Sequence, residues 1–177
     1  MIDAIRDLFA RRAVRAAMAA RRPRPAPRLA DRRVLVVLPG DGPGQRAAWQ
    51  LLDAMDVPPR HVRPVLRHAI EVDVPPPFAQ DHRILGEDDH DWRGLPRVPI
   101  RRDLWAPPPD VAFILADPDD LAAALVVGAS PASVRIGRHR ADREAFYDLM
   151  VQGAPDASSA AASFGRLRRR LDPPVLP

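Results

Sequence analysis

Two short apolar runs place the strongest constraint on the fold of this chain. Residues 34–38 read VLVVL and residues 111–116 read VAFILA. A strand with one face in water alternates apolar and polar residues, whereas a strand covered on both faces is apolar throughout. The two runs therefore predict central strands of a parallel sheet that carries helices on both faces.

The segments after both runs have the spacing of helices. The turn PGDGPG at residues 39–44 precedes apolar residues that fall on one side of a helix, at positions 47, 48, 51, 52 and 55. The turn DPDD at residues 117–120 precedes a predicted helix over about residues 119–127, which Gly128 ends. A last helix is predicted to begin at Asp156. This order of strands and helices favours parallel pairing.

Less regular segments supply the remaining strands. Residues 61–66 (HVRPVL) form a predicted strand, and Pro64 predicts that this strand either lies at an edge of the sheet or is interrupted. Prolines and charges predict an insert at about residues 74–109 that is mostly loop. Extended pieces or short strands are predicted near residues 83–85, 98–100, 133–137 and 145–151. We therefore expect a three-layer α/β fold with a mostly parallel sheet of about five strands.

Charge divides the chain into two parts. Residues 1–33 hold ten arginines and three aspartates, a net charge of +7, whereas the remainder of the chain carries a net charge of −3. Apolar residues at helical spacing predict a basic N-terminal helix, and three prolines between residues 21 and 30 predict an extended linker after it. The predicted organisation is an N-terminal arm at residues 1–31 and a single α/β domain at residues 32–177.

The basic helix has three interpretations. In the first, its arginines neutralise nucleic-acid phosphates, and in the second they lie on an anionic membrane surface. In the third, they keep the helix in solution while its Ile5, Leu8 and Phe9 pack on the domain. No aromatic residues interleave with the arginines, which weakens an assignment to single-stranded nucleic acid. The first interpretation predicts docking on RNA or the ribosome through six arginines: Arg11, Arg12, Arg15, Arg21, Arg22 and Arg24.

A glycine-rich turn follows the first apolar run, at the place where α/β folds bind phosphates with exposed backbone N–H groups. Its residues Gly40, Asp41, Gly42 and Gly44 match neither the dinucleotide fingerprint nor the P-loop pattern, so an ordinary turn is the alternative. Asp117 follows the second run at the same edge of the predicted sheet, where it either contacts a ligand or caps the next helix. These five residues are the predicted ligand-binding set.

Metal binding and catalysis have less support in the sequence. The acidic, histidine-bearing stretch at residues 81–91 lacks a fixed ligand spacing, so we expect a solvated loop. Ser158, Ser159 and Ser163 have no neighbouring histidine, and no catalytic residue, cofactor or metal is predicted. The chain has no cysteine, which excludes disulfides and thiolate ligands. No apolar run approaches the ~20 residues that cross a bilayer, which predicts a cytoplasmic protein.

Four motifs carry a resemblance: DWRGLP at residues 91–96, the apolar run with the aspartate at its end, VRIG at residues 134–137 and FYDLM at residues 146–150. Together they resemble a bacterial domain family of unknown function whose members begin with a short basic helix. A buried strand ending in Asp117, a helix of small apolar residues and VRIG are also similar to the N-terminal half of heptosyltransferase-type glycosyltransferases. The second resemblance implies a Rossmann-like fold; in those enzymes it is a second Rossmann-like domain that holds the nucleotide-sugar donor.

The leading functional prediction is a non-catalytic α/β domain that docks on RNA or another anionic partner through its arm. The alternative is a small nucleotide- or nucleotide-sugar-binding, glycosyltransferase-like protein. Docking through charge releases counterions, so binding is expected to weaken steeply as salt rises and to disappear when residues 1–31 are removed. Co-sedimentation with ribosomes and RNA over a salt series measures both effects. Binding that does not respond to salt would contradict the first prediction.

Overall fold

The computed structural model describes residues 2–19, 32–54, 57–67 and 74–151. The regular elements follow in chain order: α1 (Ile2–Ala19), β1 (Val34–Val37), α2 (Gly42–Asp53), β2 (Val62–Arg67), β3 (Arg83–Leu85), α3 (Val98–Leu104), β4 (Val111–Ile114), α4 (Leu121–Gly128), β5 (Val134–Arg138) and β6 (Leu149–Val151). The six strands of these ranges form one parallel sheet in the order β3-β2-β1-β4-β5-β6. The predicted three-layer, Rossmann-like α/β fold is confirmed, with one strand more than expected.

β1 lies at the centre of the sheet, and its side chains point alternately to two cores. It pairs in parallel with β2 on one side and with β4 on the other. Leu35 and Val37 lie in the core that contains α4, whereas Val34 and Val36 lie in the core that contains α2. β1 is buried at all four positions because helices cover both faces of the sheet.

β2 lies inside the sheet, between β1 and β3, and is continuous over Val62–Arg67, so both alternatives predicted from Pro64, an edge strand and an interrupted strand, are wrong. The Val65 carbonyl accepts a hydrogen bond from the Leu38 N–H at 2.9 Å, which shows that the backbone groups of Val65 face β1. Because these groups alternate in direction along a strand, those of Pro64 face the side of β3. β3 pairs with β2 only from Val65 onward. Pro64 lies before the first residue of the β2–β3 ladder, so the pairing of these two strands does not need the N–H group that proline lacks.

The insert between residues 74 and 109 holds more regular structure than predicted. Residues 83–85 form the edge strand β3, but residues 98–100 begin the helix α3 where an extended piece was expected. Pro99 lies in the first turn of α3, where a backbone N–H would have no partner within the helix. At this position a proline therefore begins a helix rather than preventing one.

Other predicted elements differ in extent or lie outside the described residues. Of residues 145–151 only the end is a strand, since Ala141–Phe146 forms a 3₁₀ helix. α4 begins at Leu121 after the N-cap Asp120, slightly later than predicted, and ends at Gly128 as predicted. The predicted linker and the predicted last helix lie outside the described residues.

α1 packs on α4 through small side chains. Ala10 and Val14 are 2% and 0% exposed and belong to the same core as α4. On the other side of the helix, Ile5, Leu8 and Phe9 are 48%, 66% and 47% exposed, so the predicted packing of this side on the domain is wrong. The physical reason is that small residues let two helix axes approach closely, whereas the large side chains would hold them apart.

Shortening a side chain in this contact is expected to destabilise the protein. Val14→Ala removes two buried carbon atoms and leaves a cavity between α1 and α4, so we expect to lose about 2 kcal/mol of unfolding free energy. Leu8→Ala, on the exposed side of the same helix, is the matched control and should change that free energy by less than about 0.5 kcal/mol. Urea denaturation measures both values. Equal losses in the two variants would show that α1 does not pack on α4 in this orientation.

Tyr147 lies in a close contact between β5 and the segment that leads into β6. A Cβ atom at Gly137 would collide with the Tyr147 ring, so the ring needs a glycine on β5. Tyr147 is 9% exposed. Burial raises the pKa of Tyr147 to about 12, although the positive charge of Arg143 acts in the opposite direction. The phenol therefore resists ionisation because its charged form would lose contact with water.

Tyr147 is expected to make stability fall at high pH. Its pKa rises from an ordinary 10.0 to about 12 on folding, so the folded state holds this proton more tightly than the unfolded chain. The stabilisation is complete below pH 10 and is lost as the pH rises through about 12. The free energy of unfolding should therefore fall more steeply in the wild type than in Tyr147→Phe. The chain has one tyrosine, so tyrosinate absorbance follows this titration directly; ionisation near pH 10 in the folded protein would refute the prediction.

Candidate functional site

A cleft opens at the carboxyl end of the parallel sheet. Its volume is about 650 Å³, which lies within the usual range of small-molecule sites. The walls come from the ends of strands β1 to β4 and from the segments that follow β3 and β4. Polar residues and glycines on these walls include Gly40, Arg67, Gly86, Glu87, His90, Asp117 and Asp120.

The topology of the sheet explains the position of this cleft. From β1 the sheet continues through β2 to β3, whereas from β4 it continues in the opposite direction through β5 to β6. The connections after β1 and β4 therefore separate, and ligands of open α/β sheets bind at such a switch point. Gly40 follows β1 and Asp117 follows β4, so two residues of the predicted ligand-binding set lie on one cleft.

The rest of the glycine-rich turn builds the start of α2. Asp41 is the N-cap of this helix, and its Oδ1 accepts a hydrogen bond from the Gly44 N–H at 2.7 Å. Gly42 and Gly44 lie in the first helical turn, and a Cβ at Gly44 would approach the Asp41 carboxylate to 2.8 Å. The start of α2 thus holds a carboxylate of its own where comparable folds hold a phosphate.

The turn between β4 and α4 presents two carboxylates with different partners. Asp120 caps α4 by accepting a hydrogen bond from the Ala123 N–H at 3.0 Å, and its other oxygen accepts one from Arg67 at 2.6 Å. Asp117 accepts a hydrogen bond from the Asp119 N–H at 2.7 Å and is exposed. Asp120 therefore performs the capping that was the alternative role of Asp117, and the Asp117 side chain lies at the cleft.

His90 lies on the cleft wall with its ring held in place. Its Nδ1 lies 2.7 Å from the Gly86 carbonyl oxygen. Because a carbonyl oxygen only accepts hydrogen bonds, Nδ1 carries the proton, and Nε2 of the neutral ring is then an acceptor. Nε2 is buried and has no hydrogen-bond partner among the described residues. A buried acceptor without a partner raises the free energy of the folded state, and a hydrogen-bond donor on a ligand would remove that cost.

The cleft is rich in hydrogen-bond acceptors. Glu87 and Asp117 contribute exposed carboxylates. Asp120 contributes a third, and the Arg67 guanidinium, 2.6 Å away, offsets its charge. Together with His90, whose buried Nε2 has no partner among the described residues, the polar side chains on the wall mainly accept hydrogen bonds. The net negative charge disfavours a phosphate and favours hydroxyl or amino groups.

Five of the seven cleft residues named above were not predicted as ligand contacts: Arg67, Gly86, Glu87, His90 and Asp120. Arg67 ends β2, which pairs with β1, and Asp120 follows β4. Gly86, Glu87 and His90 reach the cleft because β3 pairs with β2 in parallel, which brings the end of β3 to the same edge as the end of β1. The extended piece predicted at residues 83–85 was a partial signal, but its three residues do not indicate which strand they join. The stretch expected to be a solvated loop thus forms part of the cleft wall.

Asp91 builds a tight turn next to the cleft. Its Oδ1 accepts hydrogen bonds from the Arg93 N–H at 2.9 Å and the Leu95 N–H at 3.2 Å, and its Oδ2 lies 2.6 Å from the Arg93 guanidinium. Burial raises the pKa of Asp91, but these hydrogen bonds outweigh burial and hold the pKa below its ordinary 3.8. Gly94 adopts a φ of 74°, which favours glycine. The turn presents Trp92 with 69% of its surface exposed.

The arginines predicted to contact an anionic partner have different surroundings. Arg11 donates a hydrogen bond to Asp7 at 2.8 Å on the same helix, whereas Arg12 and Arg15 are exposed. The other three lie outside the described residues: Arg21, Arg22 and Arg24. Docking on RNA or the ribosome stays a prediction. Because α1 covers α4, removal of residues 1–31 also removes core packing, so substitution of the exposed arginines is the cleaner test of docking.

No family model, curated protein or solved structure matches the chain. The two resemblances drawn from its motifs therefore stay predictions, as does the cytoplasmic location. Within the described ranges, histidine, aspartate and glutamate side chains do not gather in groups of three that could hold a metal ion. In the same part of the chain, every helix is too short or too polar to cross a membrane.

Proposed function

We propose that this protein binds a small neutral or cationic molecule that carries several hydrogen-bond donors, such as hydroxyl or amino groups. The observation that carries the proposal is His90, which lines a cleft at the switch point of the sheet and whose buried Nε2 has no partner among the described residues. Buried polar atoms of folded proteins almost always have a partner, and a donor on the ligand would be that partner.

The charges of the cleft support the choice of ligand class. Glu87 and Asp117 add negative charge that attracts amino groups and accepts hydrogen bonds from hydroxyl groups. Among the described residues, the guanidinium on the wall is that of Arg67, and it is already paired with Asp120 at 2.6 Å. A ligand of this class would therefore complete the hydrogen bonding of the wall without displacing an existing ion pair.

The position of the cleft suits a nucleotide, but the negative charge of the cleft does not. The start of α2 is occupied by the Asp41 carboxylate, which already accepts the hydrogen bond of the Gly44 N–H. A phosphate at the cleft would also meet the carboxylates of Glu87 and Asp117. A nucleoside or a sugar without a phosphate avoids both conflicts. The proposal concerns binding and includes no reaction.

Thermal denaturation with added compounds is the first test. A ligand that binds only the folded state raises the midpoint of thermal denaturation. At a free ligand concentration of about a hundred times its Kd, it adds about 2.7 kcal/mol to the free energy of unfolding. Polyols, amino sugars and nucleosides are expected to include compounds that raise the midpoint. Each nucleotide should have a smaller effect than its own nucleoside. A larger effect of the nucleotide across the series would contradict the proposed ligand class.

Variants test whether the binding occurs in the cleft. A Cβ atom at Gly40 would have no neighbouring atom within 4 Å, so the side chain added by Gly40→Leu should fill the cleft, keep the fold and abolish binding. His90→Phe removes the Nε2 acceptor and should weaken binding about tenfold or more. His82→Phe is the matched control, because His82 Nδ1 likewise lies 2.9 Å from a backbone carbonyl oxygen, that of Ala79. Calorimetric titration measures the affinities. Unchanged binding in Gly40→Leu, or equal losses in the two histidine variants, would refute the location.

A further inference from the structure

Four large apolar side chains form an exposed surface on the outer side of α1 and on the neighbouring turn. Ile5, Leu8 and Phe9 are 48%, 66% and 47% exposed, and Trp92 is 69% exposed. The rings of Phe9 and Trp92 meet edge to face with their centroids 5.9 Å apart. The helix and the turn therefore present one continuous surface, which we call the aromatic patch.

The exposure of Trp92 comes from a well-held turn. Asp91 accepts hydrogen bonds from the backbone N–H groups of Arg93 and Leu95, at 2.9 Å and 3.2 Å. The Arg93 guanidinium carbon lies 6.0 Å from the centre of the Trp92 ring. A contiguous group of exposed apolar side chains marks an interaction site more often than isolated ones do. The fold thus supports the aromatic patch on ordered backbone.

Beside the aromatic patch, the same side of α1 carries positive charge. Because an α-helix has 3.6 residues per turn, Arg12 lies on the same side as Leu8 and Phe9, and Arg15 follows near it. Both arginines are exposed. In the sequence beyond the helix, residues 21–28 add four arginines and no acidic residue. An apolar region is therefore followed by a region that complements an anionic surface.

We propose that the aromatic patch and the arginines beside it dock this protein on a membrane surface that carries anionic lipid headgroups. Aromatic and aliphatic side chains enter the boundary between headgroups and acyl chains, while arginines contact the headgroups. The docking is peripheral and involves a surface of the folded domain. The reasons for proposing this docking do not include the ligand proposed for the cleft.

The composition of the aromatic patch favours a membrane over two other occupants. RNA would use the aromatic rings and the arginines, but it offers no apolar partner for the aliphatic side chains of Ile5 and Leu8. A second copy of this chain, packed about a twofold axis, would bring the same surface of each copy together. Such an interface would bring the charged Arg12 and Arg15 of both copies into or beside an apolar contact, where loss of water costs free energy. Lipid with anionic headgroups accommodates all of these side chains at once.

Flotation of the full-length chain with lipid vesicles tests the proposal. We expect binding to vesicles of equal parts phosphatidylcholine and phosphatidylglycerol, weaker binding to phosphatidylcholine alone, and a decrease as salt rises. Fluorescence of Trp92 should shift to shorter wavelength on binding. The other two tryptophans of the chain are Trp49, which is 8% exposed, and Trp105, which is partly buried against the core, and both should contribute a constant background.

Matched variants distinguish binding through the aromatic patch from nonspecific hydrophobic binding. Leu8→Ser and Trp92→Ser should each weaken binding to the anionic vesicles about tenfold, because each removes a large apolar side chain from the bilayer boundary. Ile84→Ser is the control, since Ile84 is 46% exposed on β3 and lies outside the aromatic patch. Arg12→Gln should weaken binding. Arg46→Gln, which changes an exposed arginine on α2, should not.

Several outcomes would overturn the proposal. One is that the protein does not float with the anionic vesicles. Another is that Ile84→Ser and Leu8→Ser weaken binding to these vesicles equally. Binding of single-stranded RNA that requires Trp92, without binding to vesicles, would assign the aromatic patch to RNA. A dimer in sedimentation velocity that Leu8→Ser dissociates would assign it to a second copy. All the substituted side chains are exposed, and unchanged thermal midpoints would show that a loss of binding is not a loss of fold.

Discussion

α4 is apolar on every side, and much of the fold is arranged to cover it. Residues 122–128 are all buried, and a helix of this composition has no side that suits water. The sheet covers one side and α1 another. The carbonyl groups at its end also have partners: Trp105 donates to the Val126 carbonyl at 3.0 Å, and Arg135 donates to the Gly128 carbonyl at 2.5 Å. The need to bury α4 therefore determines where α1 lies.

The strands at the centre of the sheet could be predicted because a strand covered on both faces has a pattern of its own. The errors arose where a local pattern depends on a neighbour. Pro64 excludes one ladder bond, and whether that bond is needed depends on where β3 begins. Likewise, the spacing of Ile5, Leu8 and Phe9 shows that they share one side of a helix, but not which way that side faces. The small residues Ala10 and Val14 face α4 instead.

The candidate site was predictable only where it adjoins the central strands. Gly40 and Asp117 follow the two apolar runs, so the rule for ligands of parallel sheets identifies their edge. His90 and Glu87 reach the same cleft through β3, a strand of three residues. So short a strand has no periodicity that would indicate its partner. The position of Asp41 at the start of α2 also shows that a glycine-rich turn can serve a helix cap rather than a phosphate.

Residues 86–94 belong to two surfaces at once. His90 faces the cleft, Trp92 belongs to the aromatic patch, and the hydrogen bonds of Asp91 hold the backbone between them. Because these hydrogen bonds already hold the segment, an occupant of either surface would meet a backbone that needs little further ordering, which lowers the entropic cost of binding. A single carboxylate thus pre-organises two surfaces of the molecule.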